Sequence, residues 1–261
     1  MVDGYDDSTY GESFADVYDE WYHDVTDASA TVELLRGLGG DGDYLELGVG
    51  TGRIAVPLAA TGARVTGVDS SPAMIDRLAT KASSAGVRVE AHLGDMVDDL
   101  PTGPFDVVYV TFNTLFNVCD ADRQRRVFSE VARRLRPGGR FVVEAFVPDP
   151  QRPAGGTVGV RTMAVDRVVL VADVHHPDRQ TVDGQIIEIT ESGGVRLRPF
   201  SIRYCPVEEL DSMARSAGLA LMERTEGPGG PPFDGGSSSH VSIWGPQTPP
   251  PATPTRILRE P

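Results

Sequence analysis

Several features that mark particular classes of protein are absent from this sequence. Cysteine occurs twice in 261 residues, at Cys119 and Cys205, which are too few and too far apart for a disulfide framework. We therefore expect two free thiols in a reducing compartment. There is no H-x-E or C-x-x-C pattern, so no metal site is predicted. No apolar run approaches the roughly 20 residues that cross a bilayer, which predicts no membrane partner.

Basic residues are also scarce. The chain has 24 Lys and Arg against 38 Asp and Glu, which gives a formal net charge of -14. Binding to a nucleic acid requires clusters of Lys and Arg that neutralise phosphates, so no nucleic-acid partner is expected. The first 30 residues are acidic and lack the basic region of a signal peptide. These observations together predict a cytoplasmic protein.

The N-terminal segment, residues 1–40, is predicted to form a helical lid. Between Tyr10 and His23, aromatic and apolar side chains recur at helical spacing, namely Phe14, Val17, Tyr18, Trp21 and Tyr22. Acidic side chains fall on the opposite side of this helix, namely Glu12, Asp16, Asp19 and Glu20. A second helix is predicted over residues 28–38, where it ends at two glycines.

From Tyr44 onward, strands alternate with helices, which predicts a parallel sheet covered by helices on both faces. The predicted strands are residues 44–47, 64–68, 87–91, 105–110 and 141–145, and the predicted helices are 51–60, 72 onward and 121–135. Residues 41–147 would form a cofactor-binding core. A helix at 206–217 and two closing strands at 219–223 and 240–244 would complete it within residues 206–245. The expected fold is α/β, Rossmann-like, with seven strands.

Residues 148–205 show no helical pattern and are predicted to form an inserted antiparallel β meander. Its three β-rich stretches are 162–174, 185–191 and 195–204, separated by Asp-Gly and Gly-Gly turns. Free sheet edges often pair between subunits, so a homo-oligomer is expected. Polar residues of the last stretch are interpreted as its solvent-facing side, namely Arg196, Arg198, Arg203 and Tyr204. Residues 246–261 are rich in proline and are predicted to be a disordered tail.

A glycine-rich turn, Glu46-Leu47-Gly48-Val49-Gly50-Thr51-Gly52, follows the first predicted strand. Glycines leave room for a ligand beside the backbone N–H groups of a helix N-terminus. Asp69 ends the next strand, where a carboxylate can accept both hydroxyls of a ribose. Dinucleotide enzymes favour the spacing G-x-G-x-x-G, whereas the spacing here is G-x-G-x-G, which disfavours a nicotinamide-dependent oxidoreductase.

This turn resembles the first motif, E/D-x-G-x-G-x-G, of the class I S-adenosylmethionine methyltransferases. Gly94-Asp95-Met96 is similar to the loop after the third strand of that family, and Leu135-Arg136-Pro137-Gly138-Gly139 to its turn before the fifth. The resemblance covers residues 40–146 and implies S-adenosylmethionine as the cofactor. The residues expected to bind it are Glu46, Gly48, Gly50, Gly52, Asp69, Ser70, Met74, Asp95, Met96 and Thr111.

A narrower resemblance concerns the acceptor. The lid sequence and Asn113-Thr114-Leu115-Phe116 resemble the lincosamide N-methyltransferases, and the amino-sugar N,N-dimethyltransferases are similar at a greater distance. This resemblance implies that Tyr10, Tyr18 and Phe116 surround an amine and act as the catalytic residues.

The expected reaction is therefore N-methylation of a small-molecule amine, a lincosamide-like antibiotic intermediate. One alternative is O-methylation with His23 or His176 as the base. The others are a nicotinamide-dependent oxidoreductase and a protein that binds the cofactor without catalysis.

Overall fold

Two β-sheets and seven helices make up the described part of the chain, residues 2–23 and 27–247, in a computed structural model. The strands are β1 (Asp43–Leu47), β2 (Arg64–Asp69), β3 (Val89–Leu93), β4 (Phe105–Val110), β5 (Leu135–Phe146), β6 (Gly155–Met163), β7 (Arg167–His176), β8 (Thr181–Thr190), β9 (Gly194–Arg203), β10 (Leu219–Thr225) and β11 (Ser239–Pro246). The helices are α1 (Thr9–Phe14), α2 (Tyr18–Trp21), α3 (Ala28–Gly39), α4 (Ala55–Ala60), α5 (Pro72–Ala85), α6 (Ala121–Arg134) and α7 (Val207–Ser216), and a 3-10 turn spans Thr114–Asn117.

The larger sheet has seven strands in the order β10-β11-β5-β4-β1-β2-β3. The pairs from β5 to β3 are parallel, whereas β11 runs antiparallel to both of its neighbours. The direction of winding reverses between β1 and β4. In sheets of this kind a ligand crevice opens at such a point, beyond the carboxyl ends of the strands. The predicted Rossmann-like sheet is confirmed.

Side chains of alternate residues cover the two faces of this sheet. Leu45 and Leu47 of β1 point to the face that packs against α6 and α7, where Phe128 and Trp244 form part of the core. Tyr44 of the same strand points to the other face, which packs against α3, α4 and α5. Helices therefore cover both faces, and the strand ends between them are left open.

The smaller sheet is antiparallel, with its four strands in the order β6-β7-β8-β9. The single stretch predicted at 162–174 is wrong, because β6 and β7 are joined there by a turn that Ala164 closes on Arg167. That turn contains neither Gly nor Pro. The Asp183-Gly184 turn is also wrong, because both residues lie inside β8. A Cβ on Gly184 would stand 2.2 Å from Cζ of Phe200. Glycine at this position therefore leaves room for the Phe200 ring and does not form a turn.

Other boundaries differ from the prediction near the glycine turn and in the lid. Helix α4 begins at Ala55 instead of residue 51, and β3 covers Val89–Leu93 instead of 87–91. The lid is broken into α1 and α2, where the N–H of Val17 donates to the carbonyl of Phe14 at 3.0 Å. The expected tail at 246–261 overlaps β11 at Pro246, and from residue 248 onward it lies outside the described residues.

The lid lies between the two sheets. Its side chains Phe14 and Tyr22 pack in one apolar cluster with Met74 of α5 and with Val169 and Ile186 of the smaller sheet. A Cβ on Gly11 would stand 2.3 Å from Cβ of Ser71, so α1 approaches the start of α5 closely.

Acidic side chains fix the lid on both sides. Oε1 of Glu12 accepts hydrogen bonds from Oγ of Ser71 at 2.7 Å and from the N–H of Ala73 at 3.0 Å. Oδ1 of Asp19 accepts from Nζ of Lys81 at 2.7 Å and from Oγ1 of Thr51 at 2.7 Å. These two acids fix the lid to the larger sheet and its helices.

Asp16 fixes the lid to the smaller sheet. Its two carboxylate oxygens accept from Nη1 and Nη2 of Arg198 at 2.6 and 3.1 Å, and Nη2 also donates to Glu188 at 3.2 Å. The side chain of Arg198 is only 1% exposed. Hydrogen bonding to Arg198 lowers the pKa of Asp16. The break between α1 and α2 thus directs Asp16 to the smaller sheet and Asp19 to helix α5 and the glycine turn.

The solvent-facing interpretation of β9 is therefore wrong for two of its arginines. Arg198 is buried because the lid covers it, and Arg203 is buried with its guanidinium group donating to Gln180 and Glu209. His175 and His176 end strand β7. His175 is buried, with Nδ1 2.9 Å from the carbonyl of Pro153 and Nε2 2.7 Å from the Tyr204 hydroxyl.

The buried contact of the lid with the smaller sheet can be tested by Arg198→Met. This change leaves Glu188 without its buried cation, so we expect the free energy of unfolding to fall by about 3 kcal/mol in urea denaturation. Arg196→Met is the matched control, because Arg196 also pairs with Asp16 but is 56% exposed. Its loss should cost less than about 1 kcal/mol. Equal effects of the two changes would contradict the buried contact.

Candidate active site

Two cavities lie at the carboxyl ends of the parallel strands, beneath the lid. The first, here called the glycine cleft, has a volume of about 690 Å³, which includes space open to solvent. The residues that line it are Tyr5, Asp7, Tyr10, Gly11, Tyr18, Gly48, Gly50, Asp69, Ser70, Met74, Asp95, Met96, Thr114, Asn117 and Val118. Seven of the ten residues expected to bind the cofactor are thus brought together in one cleft.

The glycine turn has two positions that require glycine for different reasons. Gly48 and Gly50 have φ angles of 64° and 54°, in the left-handed region. A Cβ on Gly48 would stand 2.3 Å from Cγ2 of Thr114, whereas a Cβ on Gly50 would meet nothing within 4 Å. Gly48 therefore allows close packing of the 3-10 turn, and Gly50 leaves open space in the cleft.

Asp69 links the turn to the cleft. Its Oδ2 accepts from the N–H of Gly50 at 2.8 Å, and its Oδ1 accepts from the N–H of Ser71 at 2.9 Å. Burial raises the pKa of this carboxyl group, although both backbone bonds oppose the shift. The carboxylate therefore holds the turn in place and at the same time lines the cleft, where it can receive hydroxyl groups.

Ser70 and Asp95 connect the cleft to the start of the lid. Oγ of Ser70 donates to the carbonyl of Asp7 at 2.6 Å. Arg123 donates to Asp7 through Nη1 at 3.0 Å and pairs with Oδ1 of Asp95 through Nη2 at 2.8 Å. The same oxygen of Asp95 accepts from the N–H of Val97 at 2.8 Å. Asp7 is thereby held at the wall of the cleft.

Glu46, Gly52 and Thr111 lie behind the lining. Glu46 is buried, and the hydroxyl of Tyr109 donates to its Oε2 at 2.9 Å. Burial raises the pKa of Glu46 to about 8. Gly52 packs against Leu78, and the carbonyl of Thr111 accepts from Thr114 where the 3-10 turn begins. Direct contact of these three residues with a cofactor remains a prediction.

The second cavity, here called the aromatic cavity, lies between the lid, the 3-10 turn and the smaller sheet, and its volume is about 800 Å³, which includes space open to solvent. The residues that line it are Tyr10, Phe14, Tyr18, Tyr22, Phe112, Asn113, Thr114, Asn117, Phe146, Arg161, Val171, Ile186, Phe200 and Ile202. Four residues line both cavities, namely Tyr10, Tyr18, Thr114 and Asn117. We call these four residues the gateway, because the two cavities meet there.

The two gateway tyrosines are neutral phenols. Burial raises the pKa of Tyr10 and of Tyr18 above the ordinary value of 10. Tyr10 stacks on Phe14 with ring centroids 4.4 Å apart, and Tyr18 packs on Tyr22 at 4.9 Å. They can therefore serve as apolar walls and hydrogen-bonding groups, but not as bases near neutral pH.

Phe116 does not line either cavity. It is fully buried and packs edge-to-face on Phe146, with ring centroids 5.1 Å apart. In a 3-10 turn residues three apart share a face, so Thr114 and Asn117 face the gateway while Leu115 and Phe116 point into the core. Phe146 and Phe112 supply the aromatic wall instead.

Two strained residues position the 3-10 turn. Phe112 and Asn113 have φ angles of 51° and 65°, which are uncommon for residues other than glycine. The N–H of Phe112 donates to Oε2 of Glu144 at 3.2 Å, and Oδ1 of Asn113 accepts from the N–H of Phe146 at 2.6 Å. The sequence prediction missed Thr114 and Asn117 as site residues, because no pattern signalled a 3-10 turn.

The candidate bases for O-methylation lie elsewhere. Nδ1 of His23 is 2.9 Å from the carbonyl of Glu20, and His176 is 3.6 Å from Asp183. Neither histidine lines the glycine cleft or the aromatic cavity. Among the described residues that line the aromatic cavity, none carries a carboxylate or an imidazole, and the charged side chain present is Arg161.

The glycine cleft fits a cofactor that carries a nucleoside. Its relevant features are the open space beside Gly50, the carboxylate of Asp69 at the end of β2 and the buried thioether of Met74. With the strand order of the larger sheet, they define the class of Rossmann-like methyltransferases. Within residues 2–23 and 27–247, no group of three His, Cys, Asp or Glu could hold a metal ion, and no helix is long and apolar enough to cross a membrane.

Comparisons with known proteins agree with this class. A family model described as a methyltransferase domain matches residues 45–139. The cypemycin N-terminal methyltransferase of a Streptomyces species is 31% identical over 222 residues, covering 83% of this chain and 89% of that protein. The chain therefore belongs to the class I S-adenosylmethionine-dependent methyltransferases.

Solved structures are similar over most of the chain. The CcbJ methyltransferase of Streptomyces caelestis superposes with a TM-score of 0.86 at 39% identity, covering 92% of this chain and 98% of that one. An amino pentose methyltransferase of Micromonospora echinaspora, with S-adenosylmethionine bound, superposes with a TM-score of 0.64 at 22% identity, covering 87% and 96%. At 22% identity, the similarity to this second structure shows that the two chains share a fold.

The buried carboxyl group of Glu46 predicts a pH-dependent stability. Because burial raises its pKa from 4.5 to about 8, the folded state loses stability as the pH rises through this interval. Glu46→Gln keeps an acceptor for Tyr109 but cannot ionise. Without ligand, its free energy of unfolding should exceed that of the wild type by up to about 4 kcal/mol at pH 8, and by little at pH 4.5. A pH-independent difference in urea titrations would contradict the shift.

Proposed function

We propose that this enzyme transfers a methyl group to the nitrogen of a small-molecule amine, an antibiotic biosynthetic intermediate of the lincosamide type. The observation that carries the choice of nitrogen is the aromatic cavity, whose described lining has no carboxylate and no imidazole. A relative named as an N-terminal methyltransferase supports the same choice.

The absence of a base from the described lining of the aromatic cavity favours an amine over a hydroxyl as the methyl acceptor. A hydroxyl group must lose its proton to become a strong nucleophile, which requires a base beside it. A neutral amine already has a lone pair and needs none. Buried aromatic walls disfavour an ammonium ion, because burial lowers the pKa of a cationic group. The aromatic cavity therefore favours the reactive form of an amine, and water can receive the released proton.

S-adenosylmethionine supplies a methyl group that is bonded to a sulfonium sulfur. The amine nitrogen attacks this methyl carbon in line with the C–S bond, and the sulfur leaves as a thioether. The residues of this chain act mainly by positioning, and holding two reactants in line can contribute roughly 7–11 kcal/mol. Tyr10 and Tyr18 orient the amine at the gateway, where the phenol rings form one wall. Phe116 acts from behind, because it supports Phe146 in the opposite wall.

The glycine cleft holds the cofactor in this proposal. The contacts are assigned to the predicted residues that line it, namely Gly48, Gly50, Asp69, Ser70, Met74, Asp95 and Met96. Glu46, Gly52 and Thr111 fix the turn and the start of the 3-10 turn, and their direct contact with the cofactor stays a prediction.

A screen of amine- and hydroxyl-bearing antibiotic intermediates with methyl-labelled S-adenosylmethionine tests the proposal. We expect label on amines. The value of kcat/KM should rise with pH and level off above the pKa of the acceptor ammonium group. The control is a His23→Ala, His176→Ala variant, which should keep its amine activity. Transfer to a hydroxyl that is lost in this variant would establish the O-methyltransferase alternative. Turnover of no acceptor would leave a cofactor-binding protein without catalysis.

We also propose that the chain forms a homo-oligomer through the outer face of the smaller sheet. By strand register, Val160, Leu170, Ile187 and Leu197 form one row across that face. Val160 is 59% exposed and Leu197 is 56% exposed. Large contiguous apolar patches are rare on monomers and mark interaction surfaces. Closed pairing of identical surfaces is the commonest way to cover such a patch.

Light scattering after size exclusion tests this interface. The wild type should elute as an oligomer, and a Val160→Asp, Leu197→Asp variant should elute as a monomer. Both positions are on the face away from the aromatic cavity, so binding of S-adenosylmethionine should persist in the variant. A monomeric wild type would contradict the proposal.

A further inference from the structure

The carboxamide of Asn117 is a polar group at the gateway that forms no hydrogen bond within the described part of the chain. Asn117 is partly buried and lines both cavities. Its main-chain carbonyl accepts from Sγ of Cys119 at 3.4 Å. The carboxamide of Asn113, four residues earlier, is by contrast committed to the N–H of Phe146. The fold thus uses Asn113 for structure and leaves Asn117 available to a ligand.

The position of Asn117 is well defined even though its side chain has no partner. It ends the 3-10 turn, in which the N–H of Phe116 donates to the carbonyl of Asn113 at 2.8 Å. Leu115 and Phe116 are fully buried and fix the turn in the core. The carboxamide is therefore presented at the gateway, which Tyr10 and Tyr18 also line, by a turn that is fixed in the core.

We propose that Oδ1 of Asn117 accepts a hydrogen bond from an N–H of the acceptor amine and so aims the nitrogen lone pair at the methyl carbon. This inference rests on the proposed function. As the N–C bond forms and the C–S bond breaks, the donor leaves as a neutral thioether and the nitrogen becomes a cation, whose proton then passes to water. The N–H becomes a stronger donor during this change, so the bond to Asn117 stabilises the transition state more than the ground state.

A carboxamide suits this task better than the other polar groups present or a carboxylate would. It does not ionise, so it does not favour the unreactive ammonium form as a carboxylate would. The phenols of Tyr10 and Tyr18 offer hydroxyls that are both donors and acceptors. Thr114 offers a hydroxyl, which is both donor and acceptor, whereas a carboxamide oxygen is an acceptor alone.

The bond to Asn117 also determines how many methyl groups are added. Primary and secondary amines carry an N–H, but a neutral tertiary amine carries none. Methylation of a secondary amine therefore removes the donor that Asn117 requires. The acceptors of this enzyme are primary and secondary amines, and the reaction ends at the tertiary amine without forming a quaternary ammonium product.

The test uses the full chain with methyl-labelled S-adenosylmethionine and three probes, N-methylbenzylamine, N,N-dimethylbenzylamine and benzyl alcohol. The wild type should methylate the secondary amine alone. Asn117→Ala should lower kcat about 100-fold, as the loss of one transition-state hydrogen bond does elsewhere. Its affinity for S-adenosylmethionine should stay within twofold and its melting temperature should be unchanged. Asn117→Asp should retain activity with its pH profile moved to higher pH, because a carboxylate stabilises the ammonium form.

Asn113→Ala is the matched control for a structural effect. It should lower the melting temperature, because Phe146 loses its acceptor. Wild-type kcat in Asn117→Ala, or an unchanged pH profile in Asn117→Asp, would overturn the role of Asn117. If the wild type methylates benzyl alcohol and not the amine, or neither of them, the amine assignment itself fails and the inference falls with it.

A second readout does not depend on turnover. In protein loaded with S-adenosylhomocysteine, the side-chain amide resonances of Asn117 can be assigned by their loss in Asn117→Ala. They should shift on addition of N-methylbenzylamine and stay in place on addition of benzyl methyl ether, which has no N–H. Equal shifts with both probes would contradict the hydrogen bond.

Discussion

The placement of the lid between the two sheets is the constraint on which both cavities depend. Tyr10 and Tyr18 line the glycine cleft and the aromatic cavity together, so their positions define where a donor and an acceptor can meet. Glu12 and Asp19 fix the lid to the larger sheet, and Asp16 fixes it to the smaller one through Arg198. Without these contacts on both sides, the two cavities would open into one exposed groove.

The opposite side of the gateway depends on strain. Left-handed conformations at residues such as Phe112 and Asn113 cost of order 1–3 kcal/mol each and persist when surrounding contacts hold them. Here the contacts come from Glu144 and Phe146 of β5. In return the 3-10 turn follows closely after β4, with Thr114 packed against Gly48 and Asn117 at the gateway. Gly48 permits that approach, because any Cβ there would meet Thr114.

Local patterns predicted the parts of this molecule that depend on neighbouring residues. The glycine turn, Asp69 at the end of β2 and the alternation of strands with helices follow from short-range spacing, and the sheet agrees with them. The partners of the lid acids could not be predicted, since polarity indicates exposure and not that Asp16 meets Arg198 from 182 residues away. No sequence pattern indicated the 3-10 turn either. Phe116 was therefore expected to be a site residue, and Asn117 was not.

The central claim is that the methyl group passes to an amine at the gateway, and a structure of a ternary complex tests it most directly. The complex would contain this chain, S-adenosylhomocysteine and an amine that the enzyme methylates. The account predicts the amine nitrogen between the phenols of Tyr10 and Tyr18 and the carboxamide of Asn117, with its remaining bulk in the aromatic cavity. An amine bound outside the aromatic cavity, or a nitrogen turned away from the glycine cleft, would contradict it.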